Sequence, residues 1–194
     1  MKNPRLPKSI QSEYVLRERD MVVRKDWLRD EEGCLQRSAC VLEYPDWVSA
    51  FALTREGDAL FVRQYRNGTR ERNLEIPGGW MRPGDMNTET AIRRELREET
   101  GHVFEMLTPL VSVSPNPETH ANRLHCFLAT GGVRSGALQP DADEQLELER
   151  IPLDRVRTLL DSGALLDNGH LTCVFYALMR LGLLDWKGVL RPRA

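Results

Sequence analysis

Three glutamates, Glu95, Glu98 and Glu99, stand at i, i+3 and i+4 in a segment whose apolar residues keep helical spacing. At about 100° per residue, with Glu95 at the origin, Glu99 falls at about 40° and Glu98 at about 300°. Ala91, Ile92 and Leu96 lie on or beside that arc, while Arg93 and Arg97 take the opposite side. An ordinary surface helix keeps its acids away from its apolar stripe; this one superimposes them. Carboxylates turned inward need compensation, because an unpaired buried charge is prohibitively costly. Arg94 can pair with Glu98 as an i, i+4 neighbour, but one guanidinium does not neutralise three acids. A cation is the natural remainder, and oxygen-only ligands select Mg2+ or Mn2+ over zinc.

Ahead of the helix runs Gly78-Gly79-Trp80-Met81-Arg82-Pro83-Gly84-Asp85, a glycine-rich loop. Asn87 or Thr88 can cap the helix start, and Gly101 suits the left-handed position after its last turn. Loop and helix together resemble the signature of the Nudix hydrolases. That signature reads Gly, five residues, Glu, seven residues, then Arg-Glu-apolar-any-Glu-Glu-any-Gly-apolar. Gly79 supplies its first position and Arg94-Glu95-Leu96-Arg97-Glu98-Glu99-Thr100-Gly101 its tail. There are three departures: Asp85 replaces the first glutamate, eight residues separate it from Arg94, and His102 takes the final apolar place. The extra residue falls between loop and helix, where an insertion is easily absorbed.

The flanks narrow the resemblance. Phe61-Val62-Arg63-Gln64-Tyr65-Arg66, then Leu74-Glu75-Ile76-Pro77-Gly78-Gly79, is similar to the branch that hydrolyses ADP-ribose and other nucleoside diphosphate sugars. Asp143-Glu144-Gln145-Leu146-Glu147 resembles that branch's acidic loop. The resemblance implies that Glu95, Glu99 and the Gly78 carbonyl hold the metal, Mg2+ with Mn2+ as a substitute. Glu98 shares a ligand or acts through water, and Arg94 orients the glutamates. Glu144 is the candidate general base, against a plain solvated carboxylate. Arg66, Glu75 and Arg63 are the candidate substrate contacts. On a strand Gln64 and Arg66 share one face, Arg63 and Tyr65 the other. The Arg66 fork suits phosphate or ribose oxygens, or an ion pair with Glu75. Trp27, Trp47 and Trp80 are available to stack a base. The implied reaction gives a nucleoside monophosphate and a sugar phosphate. Dinucleotides or oxidised nucleoside triphosphates are the alternative substrates, and a non-catalytic nucleotide sensor is the alternative of another class.

With 194 residues, 41% hydrophobic content and no apolar run long enough to span a bilayer, the chain fits one soluble domain. A net charge of -2 gives no reason to expect nucleic acid. The start lacks the apolar stretch of a secretory signal. Cys34, Cys40, Cys126 and Cys173 show no Cys-x-x-Cys spacing; the last three sit in apolar contexts and read as reduced core residues of a cytoplasmic protein.

Residues 1–12 read as a loose arm and 13–25 as edge strands. Residues 27–28 and 39–44 read as further strands around Glu31-Glu32-Gly33. Residues 47–53 and 59–64 form a hairpin across Arg55-Glu56-Gly57-Asp58. After the helix come strands near 110–113, 124–130 and 145–151, with 131–140 as loop. A short helix over 153–160 and an apolar helix over 171–183 close the chain. This order implies an α+β fold, a Nudix-like α/β/α sandwich with a mixed β-sheet. Residues 1–38 form an arm with edge strands, and 39–194 the hydrolase domain. Relatives of this branch build homodimers through such an N-terminal sheet, so a homodimer is expected by analogy.

Overall fold

The computed structural model describes residues 9–30, 32–139 and 145–184. In chain order the strands are β1 (Ser9–Arg17), β2 (Val22–Arg29), β3 (Leu35–Glu43), β4 (Trp47–Thr54), β5 (Asp58–Arg66), β6 (Glu71–Glu75), β7 (Gly78–Trp80), β8 (His102–Val103), β9 (Met106–Val113), β10 (Leu124–Arg134) and β11 (Leu146–Pro152). The helices are α1 (Thr88–Thr100), between β7 and β8, then α2 (Val156–Asp161) and α3 (Asn168–Arg180); a single 3-10 turn, Leu153–Arg155, leads into α2.

The chain divides into two compact units. One holds β1, β2 and β3 as an antiparallel sheet, together with Ser114–Arg123. In it the Leu42 amide donates to the Thr119 carbonyl and the Ala121 amide to the Leu42 carbonyl, so the 114–123 segment runs alongside β3. Residues 9–12, read from sequence as part of a loose arm, belong to β1. Cys40, expected in the core, is exposed on β3.

The other unit is an eight-stranded sheet in the order β11-β5-β4-β10-β8, with β6 on β5, β7 on β4 and β9 on β10. The β4–β10 pair is parallel and the rest antiparallel, so the sheet is mixed. Strand alternation builds two cores. Val48, Ala50, Ala52, Leu60, Phe127 and Ala129 face Ala91, Ile92 and Leu96 of α1. Phe51, Leu53, Phe61, Cys126 and Leu128 face Val156 beside Cys173, Val174 and Ala177 of α3. Helices thus cover both faces, as the sequence pattern implied.

Three stretches read as loop or left unread are paired strand. β6 and β7 carry little strand propensity, but pairing with β5 and β4 overrides that. Residues 131–134 continue β10 through a register shift at Gly131 (φ 71°) rather than ending it. Glycine there makes a bulge, and a Cβ on Gly132 would stand 2.5 Å from the Phe104 ring. Pro109 interrupts the β9 pattern, yet β9 pairs only with β10, and an edge strand tolerates proline.

Candidate active site

Asn87 caps α1 by accepting from the Thr90 amide at 2.8 Å, and Gly101 closes it at φ 68°. Between these caps Ala91, Ile92, Glu95, Leu96, Glu99 and Thr100 are buried, while Arg93 and Arg97 are exposed. The acids therefore share the apolar stripe. Their position explains the paired glycines. A Cβ at Gly78 would stand 2.3 Å from the Val48 carbonyl oxygen, and one at Gly79 2.6 Å from Glu95 Oε1. β7 can lie against β4 only without the first, and Glu95 can reach the loop only without the second.

Arg94 gathers the loop and the acids. Its Nε and Nη2 donate to Asp85 at 3.1 and 2.9 Å, and Nη2 also to the Trp80 carbonyl at 3.0 Å. Its Nη1 donates to Glu95 at 2.6 Å and to Glu98 at 3.1 Å. Asp85 also accepts the Arg82 amide at 2.7 Å, so the aspartate ties the loop to the helix. Those hydrogen bonds, Arg94's first, hold its carboxyl below the usual carboxylate range. Glu98 lies 3.4 Å from Arg82 Nη2, and Glu99 accepts the Gly78 amide at 2.9 Å. Burial opposes the Arg94 charge, but Asp85 and Glu95 overcome it and raise its pKa. At Glu95 burial wins instead: the carboxyl is pushed up to about 7 although Arg94 draws it down.

Arg66 grips Glu75 through two parallel hydrogen bonds, Nε at 2.8 Å and Nη2 at 2.6 Å. Its guanidinium also lies 5.8 Å from the Trp47 ring centre. Trp47 in turn packs on Trp80 at 4.8 Å and meets His170 edge-on at 5.9 Å. Burial lowers the pKa of His170. Sequence reasoning named both tryptophans as separate candidates and missed their contact and His170 altogether. Only the β4–β7 register, which sets Trp47 opposite Trp80, brings the tryptophans together. Arg63 is turned to Glu149 on β11 at 2.6 Å. Trp27 belongs to the other unit, with Lys25 Nζ 5.1 Å from its ring centre. His120 and His125 bond the hydroxyls of Thr119 and Ser112.

A profile of the NUDIX domain matches residues 43–169. The chain belongs to the NUDIX family. It is 30% identical over 128 residues to an ADP-ribose pyrophosphatase of Bacillus subtilis, covering 66% of this chain and 69% of that protein. It is 27% identical over 170 residues to a methanol dehydrogenase activator of Bacillus methanolicus, covering 87% of this chain and 91% of that one. The crystal structure of an ADP compounds hydrolase shares the fold at a TM-score of 0.80 and 24% identity, over 95% of this chain and all of that one. The α+β Nudix sandwich and the enzyme class, a Nudix hydrolase, stand as the sequence implied.

Among the described residues of this Nudix domain, no three acidic, histidine or cysteine side chains converge closely enough to enclose an ion. Arg94 and the Gly78 amide engage the carboxylate oxygens that would bind one. The donor chemistry nevertheless fits a hard divalent cation. It is all oxygen, and the Glu95 charge is only partly met by a guanidinium shared with Asp85 and Glu98. Glu144, the candidate base, lies outside the described residues. None of the described helices is long and apolar enough to cross a membrane.

Proposed function

We propose that this Nudix hydrolase cleaves the pyrophosphate bond of a nucleoside diphosphate sugar, with ADP-ribose the leading substrate, and does so with Mg2+, for which Mn2+ can substitute. One observation carries the reading: a buried glutamate packed on the glycine loop, its charge incompletely met, beside two further acids on the same arginine. In this reading Glu95, Glu99 and the Gly78 carbonyl hold the cation, with Glu98 as a shared or water-mediated ligand. A divalent ion there supplies charge neutralisation for the pyrophosphate and a more acidic attacking water. The chain's own residues position the rest. Arg94 aims Glu95 and Glu98, and Glu144 accepts the proton of the attacking water. Arg66, held by Glu75 beside Trp47 and Trp80, offers a cationic fork and an aromatic wall to the nucleotide. Arg63 would have to leave Glu149 to reach a substrate.

The ADP-ribose pyrophosphatase relative supports the substrate class. The four free cysteines support a cytoplasmic setting. Exposed Ile10, Tyr14, Val15, Leu16 and Leu35 in the three-stranded unit support a homodimer formed through that sheet. A net charge of -2 fits a small anionic substrate taken up with its cation better than nucleic acid. The test is a panel of nucleotide sugars, dinucleotides and oxidised nucleoside triphosphates with Mg2+, read as phosphate released after phosphatase treatment. Turnover highest with ADP-ribose is expected. Preference for another group would reassign the substrate, and saturable binding without turnover would favour a sensor.

A further inference from the structure

The outward side of α1 borders a cavity of about 490 Å³ that shares Arg94 and Glu98 with the loop site but is otherwise lined by residues the proposed reaction does not use. Arg93 and Arg97 supply its cationic wall, Leu96 and Phe104 its apolar floor, and His102 reaches it from β8. Each polar group is set up differently. Arg93 is braced, with Nε and Nη2 on Glu89 and Nη1 on the Phe104 carbonyl. The Arg97 side chain has no ion pair or hydrogen bond among the described residues. His102 is 4% exposed, yet it stands where the family pattern has an apolar residue. Its Nδ1 lies 2.6 Å from the Thr100 carbonyl, so Nδ1 carries a hydrogen and donates it. That leaves Nε2, which bonds no described residue, as the ring's available nitrogen.

We propose that this cavity is a second binding site, for an organic phosphate monoester. Two guanidiniums fit a phosphate's charge and planar edge. A buried imidazole nitrogen can accept the phosphate's remaining O–H. The Phe104 and Leu96 floor takes the ring of a base or sugar, and the volume is that of a small-molecule pocket. Arg94 and Glu98 border this cavity as well as the loop site, so an occupant would be felt there.

Calorimetric titration of the full-length, metal-free protein with AMP, ribose 5-phosphate and inorganic phosphate tests this without reference to turnover. Arg97→Glu should weaken AMP or ribose 5-phosphate binding by about tenfold or more while leaving nucleotide-sugar turnover unchanged. His102→Leu, which restores the apolar residue of the family pattern, should weaken it too, with the fold retained by circular dichroism although the Nδ1 hydrogen bond to the Thr100 carbonyl is lost. Arg66→Ala should leave this binding intact. Affinity unaffected by Arg97→Glu, or abolished by Arg66→Ala, would show that the phosphate sits at the loop site and overturn the proposal. Equal affinity for inorganic phosphate and the two esters would overturn the assignment to a monoester.

Discussion

Glu75 and Glu95 are buried to the same depth, 5% and 6% exposed, and each faces an arginine. Glu75 has Arg66 Nε and Nη2 in a two-point grip. Glu95 has one nitrogen of Arg94, whose other hydrogen bonds go to Asp85, Glu98 and the Trp80 carbonyl. The first pair is closed: both carboxylate oxygens are matched by a rigid fork. The second is left open, and its carboxyl is pushed up to about 7 by burial. Equal burial with unequal compensation separates a side chain that holds the sheet together from one poised to accept a further positive charge.

The contrast breaks first on chemistry. Glu95→Gln and Glu99→Gln should each lower turnover on the order of a thousandfold, since loss of cation-mediated stabilisation forfeits several kcal/mol of the barrier. Neither should melt below the wild-type temperature, because a neutral amide is easier to bury. Activity within a few-fold of wild type in either variant would remove that residue from the metal site. Arg66→Met tests the other pair. It strands Glu75 as a buried charge and should cost about 3 to 4 kcal/mol of stability by denaturant unfolding. The double variant Arg66→Met/Glu75→Gln should recover most of that loss. If Arg66→Met keeps full stability, Glu75 is not held as described.

The inward acids were legible because 3.6-residue periodicity is local: the 13 residues of one helix sufficed to set Glu95 and Glu99 beside Ala91, Ile92 and Leu96. The caps at Asn87 and Gly101 were legible for the same reason. What eluded the sequence depends on pairing between distant strands. Trp47 opposite Trp80 follows from a register between β4 and β7, and β7 itself has two glycines that read as loop. Arg66 was left between substrate and Glu75 because strand alternation gives its face but not its partner across the β5–β6 pair. Gly131 and Gly132 looked like punctuation, whereas β10 passes through them by a bulge against Phe104.

The Glu95 carboxyl makes a smaller, pH-dependent prediction for the metal-free protein. Its folded pKa, about 7, lies above the unfolded carboxylate value of 4.5. Between those values the folded state holds more protons than the unfolded one, so stability is fully present at the acid end and falls as pH rises. The loss across that window is no more than about 3 kcal/mol. In chelator, wild type should lose stability relative to Glu95→Gln from about pH 4.5 to about pH 7, and added Mg2+ should flatten the difference. A constant gap between the two proteins over that range would mean the carboxyl is compensated like Glu75.

Asp85→Asn carries the smallest effect and bears most directly on how Arg94 is divided. The Asp85 carboxylate takes two hydrogen bonds from Arg94 and one from the Arg82 amide, so the amide should cost about 1 kcal/mol. Freed of that rival charge, the guanidinium can serve Glu95 more fully, which makes the open pair resemble the closed one. The window in which wild type and Glu95→Gln diverge should then shift to lower pH when both are compared in the Asp85→Asn background. Carbon-13 titration of the Glu95 side chain in the metal-free protein reads this directly. An unchanged midpoint would mean that Asp85 only fastens the loop and has no share in setting the charge of its neighbour.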